Sequence, residues 1–197
     1  MPRLADAART ERRQHLVDAA WRCVAHRGFQ SLTVDDVCAE AGVSKGAFYT
    51  YFDQKQELLL ALLDDEAAEL RALMLELEQA HVSGVERLRR SARAMVERGE
   101  NPARLQIRAD MWAEMSSNPA VREKWAAVVG ERRAVLKGWI EESIGAGELA
   151  PIPANALAAI LLSMGDGLLL HAGLDPSGFR WVNVRKALDA LLEGIGR

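Results

Sequence analysis

The sequence predicts an all-α protein of about nine helices, in a chain long enough for one core or for a small domain plus a larger one, and three observations predict the helices. Ala, Leu, Glu and Arg dominate its 197 residues, and all four are strong helix formers. Runs of β-branched residues are rare. Helix stops and starts recur roughly every 15–25 positions, as at Gly28, Gly42, Asn101–Pro102 and Asn118–Pro119.

The first helix reads from Arg9 to Arg27, with apolar positions at Leu16, Ala19, Ala20, Cys23 and Val24, and Gly28 stops it. Thr33 opens a short second helix, Asp36 three residues on suits a capping box, and Gly42 ends it. Ser44 caps a third that reads to about Phe52, and after Asp53 a long helix continues to about Gln79. Another spans Gly84 to Arg98. Pro102 and Pro119 each follow an asparagine, the pattern of a helix start, and open helices ending near Ser116 and Ile144. GAGELAPIP is the clearest loop, after which Ala154 to His171 and Arg180 to Ile195 complete the count.

The second and third helices form a helix–turn–helix pattern. Val34, Val37 and Ala41 give the second one apolar face, Cys38 is small enough for a close crossing, and Gly42 supplies the sharp turn above Val43. Phe48 and Phe52 lie four residues apart and point inward. The opposite face centres on Gly46 and Thr50, flanked by Ala47 and Tyr49, and no carboxylate occurs from Ser44 to Phe52. Such a face suits phosphates and base edges. Gly46 and Ala47 allow close backbone approach, and Thr50 is the central side chain able to bond a base edge. Lys45, Tyr49 and Tyr51 reach sideways as phosphate donors, and Lys55 opens the next helix, where free N–H groups suit another phosphate. Net charge is −3 overall, yet Arg3, Arg9, Arg12 and Arg13 bunch at the start, a small basic patch on an acidic protein.

This segment closely resembles the N-terminal signature of the tetracycline-repressor (TetR/AcrR-type) regulators. The resemblance spans about residues 10–62 and carries the G-F, T-V-x-D-V, A-G-V-S-K-G, F-Y-x-Y-F and K-x-E-L elements in order. It implies a DNA-binding domain over 1–55, a helical ligand-binding and dimerisation domain over 56–197, and a homodimer on a double-stranded operator. By the same resemblance Thr33, Ser44, Lys45, Gly46, Ala47, Tyr49, Thr50, Tyr51 and Lys55 sit at DNA-contacting positions. Tyr51 stands where histidine is common, a change that keeps a phosphate hydrogen bond.

Beyond residue 62 the resemblance is loose, and the residues themselves carry the reading. The helix from Pro102 places Leu105, Ala109, Trp112 and Met115 on one face, with Arg108 at its edge. The next aligns Val121, Trp125, Val128, Val129, Leu136, Trp139 and Ile140, with Arg132 inside that stripe. Trp112, Met115 and Trp125 suit a cavity for a flat or greasy small-molecule effector, although ordinary core has the same composition. Arg132 and Asp166 are charges among apolar neighbours and need partners, either each other or nearby backbone as structure, or a ligand that one of them orients. Ala154 to His171 is apolar nearly all round, and Val184, Leu188, Leu191 and Ile195 form a stripe, so the last two helices suit a homodimer seam.

Enzymatic readings find no support: G-x-S-x-G, Walker and H-E-x-x-H motifs are absent, and His15, His26, His81 and His171 lack ligand spacing. Cys23 and Cys38 read as buried thiols, and no cofactor or metal site is expected. No apolar run approaches the ~20 residues of a membrane span, and the charged start lacks a secretory signal, so a cytoplasmic protein is expected. The reading is a ligand-responsive, dimeric DNA-binding repressor. The alternative is a ligand-independent architectural or cell-division DNA-binding protein of the same fold.

Overall fold

A computed structural model describes the backbone of residues 2–195 and the side-chain surroundings of residues 7–191. Nine α-helices and no strand occur among them: α1 Pro2–Ser31, α2 Val34–Ala41, α3 Lys45–Phe48, α4 Lys55–Gln79, α5 Gly84–Gly99, α6 Pro102–Met115, α7 Pro119–Gly145, α8 Ala154–Leu174 and α9 Trp181–Ile195. The Ala-rich residues before Arg9 continue α1 toward the N-terminus. Gly28 does break α1, with φ 72° and ψ 163°, a conformation open to glycine and strained for other residues. The chain then resumes as one further turn to Ser31.

Packing divides the chain into two compact units, and the division differs from a single cut at residue 55/56. One unit comprises residues 1–66 together with 102–122, so α6 packs with the N-terminal helices. Trp21 donates to Asp65 at 2.7 Å, and Phe29 N–H, just past the α1 break, donates to the buried Asp110 carboxylate of α6 at 2.6 Å. Arg104 and Arg108 both meet the buried Glu66 carboxylate. These contacts draw Ala103, Ile107, Asp110 and Met111 inward, so the buried face of α6 is not the expected Leu105–Ala109–Trp112–Met115 stripe. Leu105 and Met115 are half-buried, Ala109 is exposed and Trp112 is 44% exposed. Two apolar stripes compete on this helix, and the polar anchors at Arg108 and Asp110 decide between them.

The other unit comprises residues 67–101 and 123–197. Its core joins Met74 and Leu77 of α4, Val85 and Leu88 of α5, Leu136, Trp139 and Ile140 of α7, and Ala158 and Leu162 of α8. Trp139 Nε1 donates to Glu78 at 2.8 Å, which satisfies the one polar atom this ring brings inside. The expected α7 stripe is buried except at Val129, which is half-buried, with Arg132 within it. A smaller cluster pairs Val96 of α5 with Leu188 of α9.

Helix α8 buries Ala158, Leu162, Gly165, Leu169 and Ala172 and exposes Ile160, Leu170 and Leu174. By length and composition it is apolar enough to cross a membrane, with mean hydropathy 1.6 over its best window and 28% of that window buried. The sequence reading by uninterrupted runs missed this, because Gly165, Asp166 and His171 interrupt the run without lowering the average enough.

Candidate functional site

The residues expected to read DNA fall in the first unit, on α2, α3 and the start of α4. Local chemistry fixes their backbone. Thr33 accepts from Asp36 N–H while Asp36 accepts from Thr33 N–H at 2.9 Å and from its hydroxyl at 2.6 Å, a complete capping box. Arg27 donates to the same carboxylate at 2.7 Å, so α1 and α2 are tied at this point. The Thr33 hydroxyl and amide, aided by Arg27, hold the Asp36 carboxyl below the usual carboxylate range. Gly42 turns the chain in the left-handed region at φ 66°, and Val43 N–H returns to Cys38 O at 3.0 Å.

Ser44 then caps α3 by accepting from Ala47 N–H at 3.2 Å. The regular helix ends at Phe48, earlier than the expected Phe52, though Tyr49 N–H still donates to Lys45 O at 3.1 Å and Phe52 N–H to Phe48 O at 3.1 Å. Phe48 and Phe52 are fully buried with ring centroids 5.4 Å apart, which anchors the segment from beneath. Ser44, Lys45, Gly46, Tyr49 and Thr50 are exposed, and Ala47 and Tyr51 are half-buried. Ala47, Thr50 and Tyr51 border a hollow whose far side is Arg12, His15 and Leu16 of α1. His15 Nε2 is 2.9 Å from Ala41 O, which ties α1 to the end of α2. Thr50 donates to Gly46 O at 3.1 Å, leaving its oxygen lone pairs outward.

Two side chains are placed differently from what sequence spacing suggests. Lys45 forms a 2.8 Å ion pair with Asp35 of α2, so a carboxylate stands at the edge of the face although none lies within α3. That bond raises the Lys45 pKa. Lys55 turns inward, donating to Gln30 O at 2.9 Å with its ammonium 4.7 Å from the Phe29 ring centroid, and burial lowers its pKa. Of the basic cluster, Arg13 lies over the Phe52 ring at 4.9 Å, and the side chain of Arg3 falls outside the described residues. Burial raises the pKa of both Cys23 and Cys38, which suppresses thiolate character.

The residues expected to hold an effector are divided between the two units. Arg108, Trp112 and Met115 belong to the first unit, and Trp125, Arg132 and Asp166 to the second. Trp125 is buried and Asp166 half-buried. A hollow of about 40 Å³ lies among α5, α7, α8 and α9, and Arg132 is the one of the six among its lining residues. Its other walls include Ser91, Met95, Met164 and Trp181, which sequence reasoning missed. The signal for α5 was present: Leu88, Ala92, Met95 and Val96 recur at helical spacing, on a helix otherwise rich in arginine.

Comparison with known proteins accords with this geometry. Residues 16–62 match the family described as "Bacterial regulatory proteins, tetR family", and residues 84–197, more than half of the chain, match "BetI-type transcriptional repressor, C-terminal". The chain belongs to the tetR family of bacterial regulatory proteins. Among its tetR-family relatives is the HTH-type transcriptional repressor AcnR of Corynebacterium glutamicum, 25% identical over 191 residues that cover 95% of this chain and 94% of the relative. The HTH-type transcriptional regulator BetI of Agrobacterium fabrum is 43% identical over 60 residues, 30% of this chain and 29% of BetI. A TetR transcription regulator from Haloarcula marismortui shares the fold with a TM-score of 0.85 at 20% identity, covering 95% of this chain and 100% of that one. A regulator from Saccharomonospora viridis, solved in complex with choline, superposes with a TM-score of 0.81 at 23% identity over 93% and 96% of the two chains. The tetR-family assignment makes this protein a DNA-binding transcriptional regulator.

Proposed function

We propose that this protein is a cytoplasmic repressor that binds a near-palindromic operator as a homodimer and leaves it when a small hydrophobic or aromatic ligand binds. The observation that carries the reading is the exposed surface from Ser44 to Thr50, capped at its start, anchored by Phe48 beneath, and free of carboxylates along its own length. Each copy places that segment in a major groove, and two such segments address half-sites about one helical turn, 34–36 Å, apart or a multiple of it. Thr33, Ser44, Lys45, Tyr49, Tyr51 and the start of α4 at Lys55 meet phosphates, and Thr50 meets a base edge over the approach opened by Gly46 and Ala47.

Dimerisation accounts for the apolar surface at the end of the chain. Ile160, Leu170, Leu174, Val182 and Leu191, all on α8 and α9, are exposed large hydrophobics. A second copy of the same face would cover them, and would equally cover the membrane-like stretch of α8. The effector acts through its differential affinity for DNA-competent and DNA-incompetent dimers. The BetI-type match raises a second reading, a quaternary ammonium effector such as the choline bound by the Saccharomonospora viridis regulator.

Selection of bound duplexes from a randomised pool, followed by light scattering, tests the proposal. The expected outcome is enrichment of a two-half-site sequence bound by a dimer. A pool that yields no paired half-sites, or a monomer at micromolar concentration, overturns it.

A further inference from the structure

The hollow beside the reading segment gathers polar side chains from two stretches far apart in the sequence. Arg12 and His15 of α1 form one side and Thr50 and Tyr51 the other, with Leu16 and Val43 among the apolar walls. It holds about 400 Å³, and among the described residues no carboxylate lines it. Glu11 and Asp18, a turn away from His15 on either side along α1, are not among its walls, and Asp18 accepts from Gln14 at 3.0 Å. Charges on the neighbouring elements are engaged elsewhere. Glu40 of α2 pairs with Arg22, Lys45 of α3 with Asp35, and Asp65 of α4 accepts from Gln14 and Trp21.

One hydrogen bond fixes the state of the His15 ring. Nε2 lies 2.9 Å from Ala41 O, one of the last carbonyls of α2, which the helix itself leaves unmatched. A carbonyl oxygen only accepts, so Nε2 carries the hydrogen, and Nδ1 is the nitrogen that gains or loses a proton. In the neutral ring Nδ1 presents a lone pair, which repels an anionic oxygen. In the imidazolium it presents an N–H, which donates to one. The positive ring also suits its place at the C-terminal, negative end of the α2 dipole.

We propose that this hollow holds an operator phosphate, bound by Arg12 and Tyr51 at every pH and by His15 only when its ring is protonated, so that each subunit takes up a proton as it binds. The inference rests on the operator reading above, because the reading segment and the hollow share Ala47 and Thr50. A groove entered by that segment brings the adjoining DNA backbone to α1. A phosphodiester fits because it offers a single negative charge and acceptor oxygens to side chains that are donors, with no carboxylate facing it. Histidine is the side chain whose charge changes between about pH 5 and 8. A proton held more tightly in the complex than in the free protein strengthens operator binding as pH falls.

The test is fluorescence anisotropy of the full-length protein on the selected operator at about pH 8 and about pH 6, each at several salt concentrations. Calorimetry of the same binding near neutral pH, in two buffers of different ionisation enthalpy, counts the protons taken up. Wild-type affinity should rise about tenfold or more between the higher and the lower pH, and the salt slope should steepen by about one phosphate contact per subunit. His15→Gln keeps an amide N–H for Ala41 O but cannot become charged, so it should match the wild type at the higher pH and lack the rise. Arg12→Gln should weaken binding at both pH values and keep the rise, and His26→Gln, at an exposed position of α1, should change neither. A rise that survives in His15→Gln, a wild type whose affinity is level across this range, or binding without proton uptake overturns the proposal. The last two are read on the wild type, so refutation does not depend on a variant folding. Absence of operator binding at both pH values is a separate result, which overturns the operator reading itself.

Discussion

Gly46→Ala separates a residue kept small for DNA from one kept small for packing. Gly46 is exposed in the first turn of α3, and a Cβ built there meets Ser44 Oγ at 3.8 Å and nothing else within 4 Å. The free fold therefore has room for the methyl group at ordinary van der Waals distance. Replacing glycine by alanine in a helix stabilises by about 0.5–1 kcal/mol. For a chain of this size that raises Tm by about 2 °C. On the operator the same methyl group stands between the α3 backbone and the groove. Losing one good direct contact there costs about 1–3 kcal/mol, so affinity should fall by at least about fivefold. No charge changes, so the slope of log affinity against log salt should stay as in the wild type. Gly138→Ala is the control, since Gly138 of α7 is also exposed with open space around its Cα, and it should give the gain in Tm without the loss of affinity. Thermal melting with fluorescence anisotropy on the selected operator reads both quantities. Wild-type operator affinity in a Gly46→Ala protein that melts normally or higher would refute the close-approach argument. A lowered Tm would refute the reading of free space.

Asp35→Asn removes the carboxylate that engages Lys45, so operator binding should strengthen about evenly across sequences and its salt slope steepen by about one phosphate contact, read from anisotropy at several salt concentrations. Asp36 has a carboxyl pKa lowered by Thr33 first and by Arg27 as well, so its stabilising effect is present above the unfolded-state value and is lost as pH falls below about 4 through the folded-state value. Acid unfolding of Asp36→Asn, followed by circular dichroism, should accordingly lack that part of the wild-type loss below about pH 4. Lys55→Ala should lower Tm as well as operator affinity, because its ammonium holds Gln30 O and the Phe29 face in the free protein; unchanged melting would mean the inward contact contributes nothing. Leu191 is 60% exposed and Leu188 only 5%, so Leu191→Glu should give folded monomers by light scattering while Leu188→Glu should unfold its own α5–α9 contact. A dimeric Leu191→Glu protein would move the seam elsewhere.

Most helices, their caps and the turn between α2 and α3 were legible in the sequence because local chemistry determines them. Thr33 with Asp36, Gly42 and Ser44 act within a few residues of themselves, and their hydrogen bonds form as their spacing predicts. The Phe48–Phe52 pair was legible for the same reason, since Phe52 N–H still donates to Phe48 O and keeps the two rings together although α3 ends at Phe48. What only the tertiary structure decided depends on partners distant in the chain. Asp110 lies 81 residues from the Phe29 amide it accepts from, and no periodicity within α6 distinguishes its Ile107–Met111 face from its Leu105–Trp112 face. Asp35 and Gln30 redirect Lys45 and Lys55 from neighbouring helices, which spacing along α3 and α4 does not reveal. In α9, Val184, Leu188 and Leu191 read as one stripe, but Val184 and Leu188 pack on α5 while Leu191 remains outside; Ile195 falls outside the described side chains. The cavity among α5, α7, α8 and α9 shows the limit most plainly. Arg132 was visible as a charge in an apolar stripe, but Met95, Met164 and Trp181 become its neighbours only when α5, α8 and α9 pack against α7. A helix's own sequence encodes which residues share a face, whereas the identity of what that face meets is a property of the packed whole.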